Sequence, residues 1–422
     1  MAKSAGIVGG GISGLIAAIE LARAGVETVV FEAAAEPGGR ARTRQTGGFS
    51  LNQGPHALYR KGAFRQTLIR LGVAIPGAAP MLGGAYGLYE GQVVGLPASL
   101  ASLATTRMFG VRDKVQFGAT LKAVMDGASA EGSLSGWFDA IHLRPRVRAA
   151  MEALARLVSY ANAPEKMSAA AALEQIRLGL AGVIYIDGGW ASLVEGLRQA
   201  AVAAGAVVRT GAAVERVEVD GDTTRIVLAD GEEDESDAVL LAVGPQEAAR
   251  LAPGASSLKA AAADAVAIRA NSLDLGLERL PEGARTFMQG IDGPFYFSVH
   301  SMAGRLAPDG GAMVHVSRYL RSGEAPKADA IEELEAYADI AMPGWRALEN
   351  TRQTLLGMVV SNAVVRWDRP RPGVGVEGAP GLFIAGDWVG ATGMLSDASA
   401  ASAVEAARAM LDGMGVSVPR AA

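Results

Sequence analysis

The sequence predicts an α/β protein in which a Rossmann-like dinucleotide-binding domain is joined to a second, α+β domain of antiparallel strands and helices. Three observations carry this expectation. Strand, glycine-rich turn, helix and strand follow one another in the first 32 residues; an apolar strand returns at 238–245 and an apolar run at 381–387; and residues 265–365 join strand-like stretches through turn residues and then add an amphipathic helix.

The first unit is read residue by residue. Ala5-Gly6-Ile7-Val8 is a short apolar strand, and Gly9-Gly10-Gly11-Ile12-Ser13-Gly14 satisfies G-x-G-x-x-G. Residues 15–24 carry apolar side chains at helical spacing, and Gly25 is placed to stop the helix. Residues 26–31 form the second strand, which ends at Glu32. In such a unit Gly9 makes the turn, Gly11 lets the backbone approach a pyrophosphate, and Gly14 lets helix and strand pack closely. The helix start at Ile12 and Ser13 offers free N–H groups and a partial positive charge to the phosphates. Glu32, 18 residues beyond Gly14, is placed to accept hydrogen bonds from both hydroxyls of an adenosine ribose. The ordered arrival of all five parts, more than the glycine motif, points to a dinucleotide.

Composition narrows the classes. The 422 residues include 39 Lys+Arg, 44 Asp+Glu, four His and no Cys, with half hydrophobic and 20% charged. That excludes general disorder, and at ~100–200 residues per domain it allows a core large enough to bury a cofactor. A net charge of −5 without a long basic run argues against nucleic acid as a partner. Without Cys there are no disulfides, iron–sulfur clusters or thiolate zinc sites, and no H-x-x-x-H spacing suggests a protein-built metal site. Residues 1–25 imitate a signal peptide, but five Gly before residue 15, then Glu20 and Arg23, interrupt the run. No segment offers ~20 apolar helical residues. The expectation is a soluble, cytoplasmic protein, with peripheral membrane contact left open.

After Glu32 the chain reads Ala33-Ala34-Ala35-Glu36-Pro37-Gly38-Gly39-Arg40-Ala41-Arg42-Thr43, or E-x5-G-G-R-x-R-T. Paired glycines leave room for a ligand, and Arg40 supplies a guanidinium fork for phosphate oxygens; Arg42 and Arg44 read as surface residues. This segment resembles the flavoprotein family of amine oxidases, protoporphyrinogen oxidases and phytoene desaturases. The resemblance implies FAD as the cofactor, with Gly39 passing close to it and Arg40 on its pyrophosphate. Residues 47–58, GGFSLNQGPHAL, resemble the family's next stretch, in which the Gly54-Pro55 pair runs past the isoalloxazine. His56 is the titratable group there that switches near neutral pH; a catalytic role competes with simple satisfaction of a buried hydrogen bond.

Residues 61–175 read as Ala-rich helices with short loops and without a second dinucleotide motif, so no stable nicotinamide site is expected. Val111, Val115, Gly118, Thr120, Leu121, Val124 and Met125 recur at three- and four-residue spacing, as packed core or pocket wall. A new pattern starts at Ile184: strand, helix over 191–204, strand over 205–209, hairpin strands 214–219 and 224–228 around Asp220-Gly221-Asp222, and a buried strand at 238–245. The acidic run 232–237 reads as a solvated turn. By resemblance this is the return into the FAD domain, where the backbone of Val214 pairs with adenine. Strand-like stretches follow at 265–277, 294–301 and 312–319, then a helix at 328–341. At the far end, Gly381-Leu382-Phe383-Ile384-Ala385-Gly386-Asp387 and Gly393-Met394-Leu395-Ser396-Asp397 lead into a helix through Met410. The resemblance implies Gly386 and Asp387 at the cofactor, Asp387 on its pyrophosphate or ribityl chain. It also implies that the N–H groups around Met394 and Leu395 face the flavin O2, where a helix N-terminus stabilises the anionic reduced form.

The expected division gives 1–80, 183–255 and 370–422 to an FAD-binding domain, and 81–182 and 256–369 to a substrate domain. The expected function is an FAD-dependent oxidoreductase that desaturates an apolar organic substrate by hydride transfer, with oxygen or another acceptor reoxidising the flavin. Amine oxidases of the family carry a Lys on a substrate-domain strand, holding water at the flavin N5, and an aromatic pair facing the flavin. Here no Lys occurs between Lys259 and Lys327, and 390–399 holds no Tyr or Phe. Both departures favour a desaturase- or protoporphyrinogen-oxidase-like reaction. Phe295, Tyr296 and Phe297 alternate on a substrate-domain strand, so at most one set lines the pocket. The alternatives are a flavin amine oxidase, a non-redox FAD isomerase or mutase drawing on Arg366, Arg369 and Arg371, and a binding protein that keeps FAD as a structural element.

Overall fold

The computed structural model describes residues 3–80, 84–97, 99–220 and 223–417. Ser4–Val8 lies at the centre of a five-stranded parallel sheet in the order Val207–Thr210, Glu27–Glu32, Ser4–Val8, Ala238–Leu241, Leu382–Ile384. Ile7 sits in register between Val30 and Leu240, and all three are fully buried. Such strands are apolar on both sides because both faces of a parallel sheet are covered. Ile12–Arg23 and Leu395–Gly413 pack on one another over one face. The meander Val214–Asp220, Thr223–Leu228 and Glu233–Ser236 covers the other, where Ile226 comes so close to Gly6 that a Cβ there would lie 2.4 Å from its Cδ1. The expected hairpin pairs as read; of its turn, Gly221 and Asp222 lie outside the described residues. The acidic run is a strand instead of a solvated turn. Glu233 and Glu235 point to Arg225 on the neighbouring strand, and Asp237 accepts from Lys3 Nζ and the Ser4 amide. Cross-strand cations let an acidic segment join a sheet.

The second sheet has seven strands, in the order Glu349–Ser361, Ile268–Leu277, Ala312–Tyr319, Phe295–Val299, Phe287–Gly290, Ala85–Tyr89, Gln92–Gly95. One face, with Leu273, Leu275, Phe297, Val314 and Val316, packs on the helix Ala330–Ala341 and Trp345. The opposite face is buried yet polar, carrying Ser272, Asp274, Tyr296, Ser298, His315, Ser317 and Tyr319, with His300 in the short helical turn that follows Phe295–Val299. Phe295 and Phe297 belong to the helix side, Phe295 stacking on Tyr337 at 5.0 Å, so neither lines a pocket on the polar side.

Residues 61–175 are not helical throughout. Gly77–Ala78, Ala85–Tyr89 and Gln92–Gly95 are strands, the last two joined by Glu90 and Gly91, both at positive φ (50° and 72°). A two-residue turn of that kind usually announces itself as Asn-Gly or Asp-Gly, and Glu-Gly hides it. Helices follow at Leu100–Thr105, Val111–Met125, Leu134–Ala140, Pro145–Ser159 and Ala169–Leu180. Val111–Met125 is the helix expected, but its packed face runs through Asp113, Phe117, Thr120 and Val124. Val111, Val115 and Met125 are 80%, 67% and 49% exposed, because the 113-117-120-124 stripe faces the neighbouring helices and they lie off it. Among the described residues no helix is long and apolar enough to cross a membrane.

One buried acid ties the last helix to the start of Ala63–Leu71. Asp397 Oδ1 accepts from the Phe64 amide at 2.8 Å, while Oδ2 has no partner. Burial pushes this carboxyl up to about 6. A folded-state value above the unfolded one means that its stabilising contribution is complete below the unfolded pKa of ~3.9 and is lost as pH rises through 6. Asp397→Asn is therefore expected to gain on the native chain by about 1–2 kcal/mol between pH 5 and 8. Denaturant midpoints of both proteins across that range check it; parallel curves would refute the assignment.

Candidate functional site

A cleft of about 640 Å³ opens at the carboxyl ends of the parallel strands, where open α/β sheets place their ligands. Of the residues expected at the cofactor, Gly9, Gly11, Ile12, Ser13, Glu32, Gly39, Arg40, Pro55, His56, Val214, Gly386, Asp387 and Leu395 line it. Gly14, Gly54 and Met394 stand behind the wall. A Cβ on Gly14 would lie 1.9 Å from the Gly9 carbonyl oxygen, so Gly14 is what lets helix and turn meet. Gly54 (φ 79°) abuts Met358, whose Cε would lie 2.5 Å from a Cβ. Met394 is buried in the helical cluster and borders, with Leu395, a small apolar pocket beside the cleft. Gly11 behaves oppositely to Gly14: a Cβ there would meet nothing within 4 Å, so its open side faces the cleft.

Glu32 has a double duty in this geometry. Its Oε2 accepts from the Gly10 amide and its Oε1 from the Ala34 amide, both at 2.8 Å. The carboxylate is thus fixed in orientation while each oxygen keeps a lone pair for a diol. Across the cleft, Arg40 donates to Asp387 at 2.7 Å and to the Val360 carbonyl at 2.8 Å. Asn362 gives Asp387 its backbone N–H (3.0 Å) and its side-chain amide (2.9 Å). Burial alone would raise the Asp387 carboxyl, but the Arg40 charge and these hydrogen bonds hold it below the usual carboxylate range. The Arg40 side chain is 42% exposed and borders the cleft. Arg371 donates to the carbonyls of Asp387, Thr392 and Gly393 and so shapes the turn before the last helix. Arg366 pairs with Asp368 and Arg369 with Asp264, which leaves both engaged outside the cleft.

That last helix begins with a non-glycine residue at positive φ, Leu395 at 54°. The Asp397 amide turns back to the Met394 carbonyl at 3.0 Å, whereas the amides of Leu395 and Ser396 have no acceptor among the described residues, and both residues border the cleft. Two helix N-termini, of Ile12–Arg23 and Leu395–Gly413, therefore face one cavity. His56 bonds the Gly54 carbonyl through Nδ1 at 3.0 Å and stands edge-on to Trp190 at 4.8 Å. Burial lowers its pKa, so the ring is neutral at physiological pH.

Sequence reasoning missed Tyr160, Trp190, Met358, Val360 and Asn362, all of which border the cleft. Trp190 follows the legible Gly188-Gly189 pair. Tyr160 ends the helix Pro145–Ser159 in a left-handed conformation (φ 60°), with its hydroxyl on the Pro55 carbonyl at 3.1 Å, and no local pattern marks it. The three others lie on or just after the long edge strand Glu349–Ser361, which alternation alone did not single out.

Residues 12–273, more than half of the chain, match the model of the family described as flavin containing amine oxidoreductase. The chain belongs to that family. That family is one of flavin-containing oxidoreductases. A phytoene dehydrogenase from Streptomyces griseus is 30% identical over 275 residues, 56% of this chain and 53% of that protein; the flavoprotein thus spans about half the length of the curated relative it matches. An oxidoreductase from Methanosarcina mazei superposes with a TM-score of 0.77 at 16% identity, over 95% of this chain and 99% of the other. Cyclohexylamine oxidase from Brevibacterium oxydans IH-35A gives 0.71 at 15%, over 98% and 100%. At such identities the likeness is one of fold, and it agrees with the α/β architecture read from the sequence.

Proposed function

We propose that this flavoprotein oxidises a C–C bond of a mainly apolar organic substrate, in the manner of a desaturase, with oxygen or another acceptor closing the cycle. Residues 1–80, 183–255 and 370–422 form its FAD-binding domain and 81–182 and 256–369 its substrate domain. The residues present fit the cofactor. Glu32 takes the ribose diol, the Val214 backbone the adenine, the start of Ile12–Arg23 together with Arg40 the pyrophosphate, Asp387 the adjoining chain, and the first turn of the last helix the flavin O2. FAD bound there supplies the hydride acceptor. The protein's part is to orient the substrate, exclude water and accept a proton, for which neutral His56 is the candidate.

The observation that carries the choice of reaction lies on the polar face of the second sheet. Its positions are filled by Ser272, Asp274, Tyr296, His315, Ser317 and Gln353, with Met358 at the cleft, and no Lys stands among them. The lysine-held water of amine oxidation has no holder there. The similarity to a phytoene dehydrogenase supports the same reading, and the engagement of Arg366 and Arg369 elsewhere weighs against a mutase. Anaerobic mixing with a panel of amines and a panel of cyclic and polyene C–C substrates is expected to bleach the flavin only with the second. Fast bleaching by primary or secondary amines, with none by the apolar panel, would restore amine oxidation as the better reading.

A further inference from the structure

The helix Pro145–Ser159 lies across the polar face of the second sheet, where Gln289 donates to the Ala153 carbonyl. One turn further on is Arg156. It is 8% exposed, forms no ion pair among the described residues, and donates from one terminal nitrogen to the Ile291 carbonyl at 3.0 Å, while its Nε has no partner. Nearby carboxylates are engaged elsewhere: Glu152 with Arg148 at 2.9 Å, and Asp292 with the Glu90 amide at 2.8 Å. Burial lowers the Arg156 pKa, yet a guanidinium does not lose its proton in a protein, so a positive charge stands here with no ion-pair partner among the described residues, the Glu152 and Asp292 charges acting on it only without direct contact.

A second unpartnered donor lies on the sheet beneath this helix. Tyr319 is fully buried and its hydroxyl has no partner among the described residues. Its amide bonds the Pro294 carbonyl at 2.8 Å, in the same short turn whose Ile291 carbonyl holds Arg156. Tyr160 joins the two to the cleft. Its amide bonds the Arg156 carbonyl at 2.7 Å, its ring meets that of Tyr319 edge-on at 5.8 Å, and its side chain borders the cavity. Further along the face, His300 Nδ1 and His315 Nε2 are also buried without partners. An unsatisfied buried polar group calls for a specific explanation, and a ligand that completes several of them at once is one.

We infer that Arg156 and Tyr319, which adjoin Tyr160 on the cleft wall, take the carboxylate of an otherwise apolar substrate. A guanidinium and a phenol are both donors, and two carboxylate oxygens match them with charge-assisted hydrogen bonds. The hydrocarbon body then runs back toward Met358 and Leu395 at the cleft. This deepens the C–C oxidation reading and rests on it.

The test uses FAD-loaded enzyme and two probe pairs, decanoate with methyl decanoate and 3-cyclohexylpropionate with its methyl ester, titrated while the flavin absorption spectrum and the heat of binding are followed. At least one acid is expected to bind about tenfold or more tighter than its ester, and Arg156→Met to abolish that preference. Arg156→Met is also expected to keep its FAD and to melt no lower than the native enzyme, because the lost cation was unpaired. Equal affinity for acid and ester, including no binding of either, overturns the proposal. So does a clear fall in melting temperature for Arg156→Met, which would make Arg156 a structural residue. Failure of the C–C oxidation reading shows separately: an acid is then preferred, yet the flavin bleaches with amines and with no C–C substrate.

Discussion

Gly14→Ala is expected to lose FAD and to melt well below the native enzyme. Two effects of the added methyl oppose each other. Replacing glycine inside a helix with alanine favours the helix by about 1 kcal/mol. Against that, the new Cβ would lie 1.9 Å from the Gly9 carbonyl oxygen, a backbone atom with no flexible end to move aside. Relief requires the helix Ile12–Arg23 to shift off the central strand, and its Leu15, Ile16 and Ile19 are fully buried in the main core. Overpacking of that kind costs about 3 kcal/mol or more, so the clash wins. Gly11→Ala, the same change three residues earlier, is the control. Its Cβ meets no protein atom within 4 Å, so the chain should fold as before but bind FAD more weakly, because the methyl enters the space left for the phosphates. Melting curves and the ratio of flavin to protein absorbance separate the two variants. A Gly14→Ala protein with native stability and a full complement of flavin would remove the role given to this glycine.

The contrast between those glycines shows what the sequence makes legible. The turn, the helix start and Glu32 follow one another within the first 32 residues, and local order suffices to read them. The same holds for Arg40 after its glycine pair and for the turn into the last helix. What local order cannot carry is pairing at long range. Asp387 was expected on the cofactor and does border the cleft, but its tie to Arg40 spans 347 residues and its tie to Asn362 comes from a strand end without any motif. Tyr160 reaches the site only because a helix from the middle of the chain ends against Pro55. The buried polar face of the second sheet was hidden for another reason. Alternation of Asp274 or His315 with Leu and Val reads as a half-solvated strand, and only the packing of helices and of residues 49–59 over it makes that face an interior. The exposure of Val111 and Val115 is the converse, since apolar spacing fixes a helix but leaves open which of two adjacent stripes meets its neighbours.

Glu32→Ala is expected to purify largely free of yellow flavin while remaining folded. The side chain stands at the carboxyl end of its strand, half-buried, with its oxygens held by the Gly10 and Ala34 amides. On the proposed placement of the cofactor, removing it deletes a charge-assisted pair of hydrogen bonds to the ribose, worth about 1–3 kcal/mol or roughly ten- to a hundredfold in affinity. It also frees the Gly10 amide, which loosens the glycine turn that presents the phosphate-facing backbone. The strand itself should survive, because Val30 and Phe31 remain in the core and Gly9 N–H still bonds the Phe31 carbonyl at 2.8 Å. Glu32→Gln divides the two contributions. The amide keeps one acceptor oxygen and the shape but not the charge, so its affinity should fall between those of the native enzyme and Glu32→Ala. Titration of the flavin-free proteins with FAD, followed by flavin fluorescence quenching, gives the three constants, and far-ultraviolet dichroism shows that each chain is folded. Three equal constants would mean that the ribose is held by some other group, and the placement of the adenosine half along this wall of the cleft would have to be abandoned.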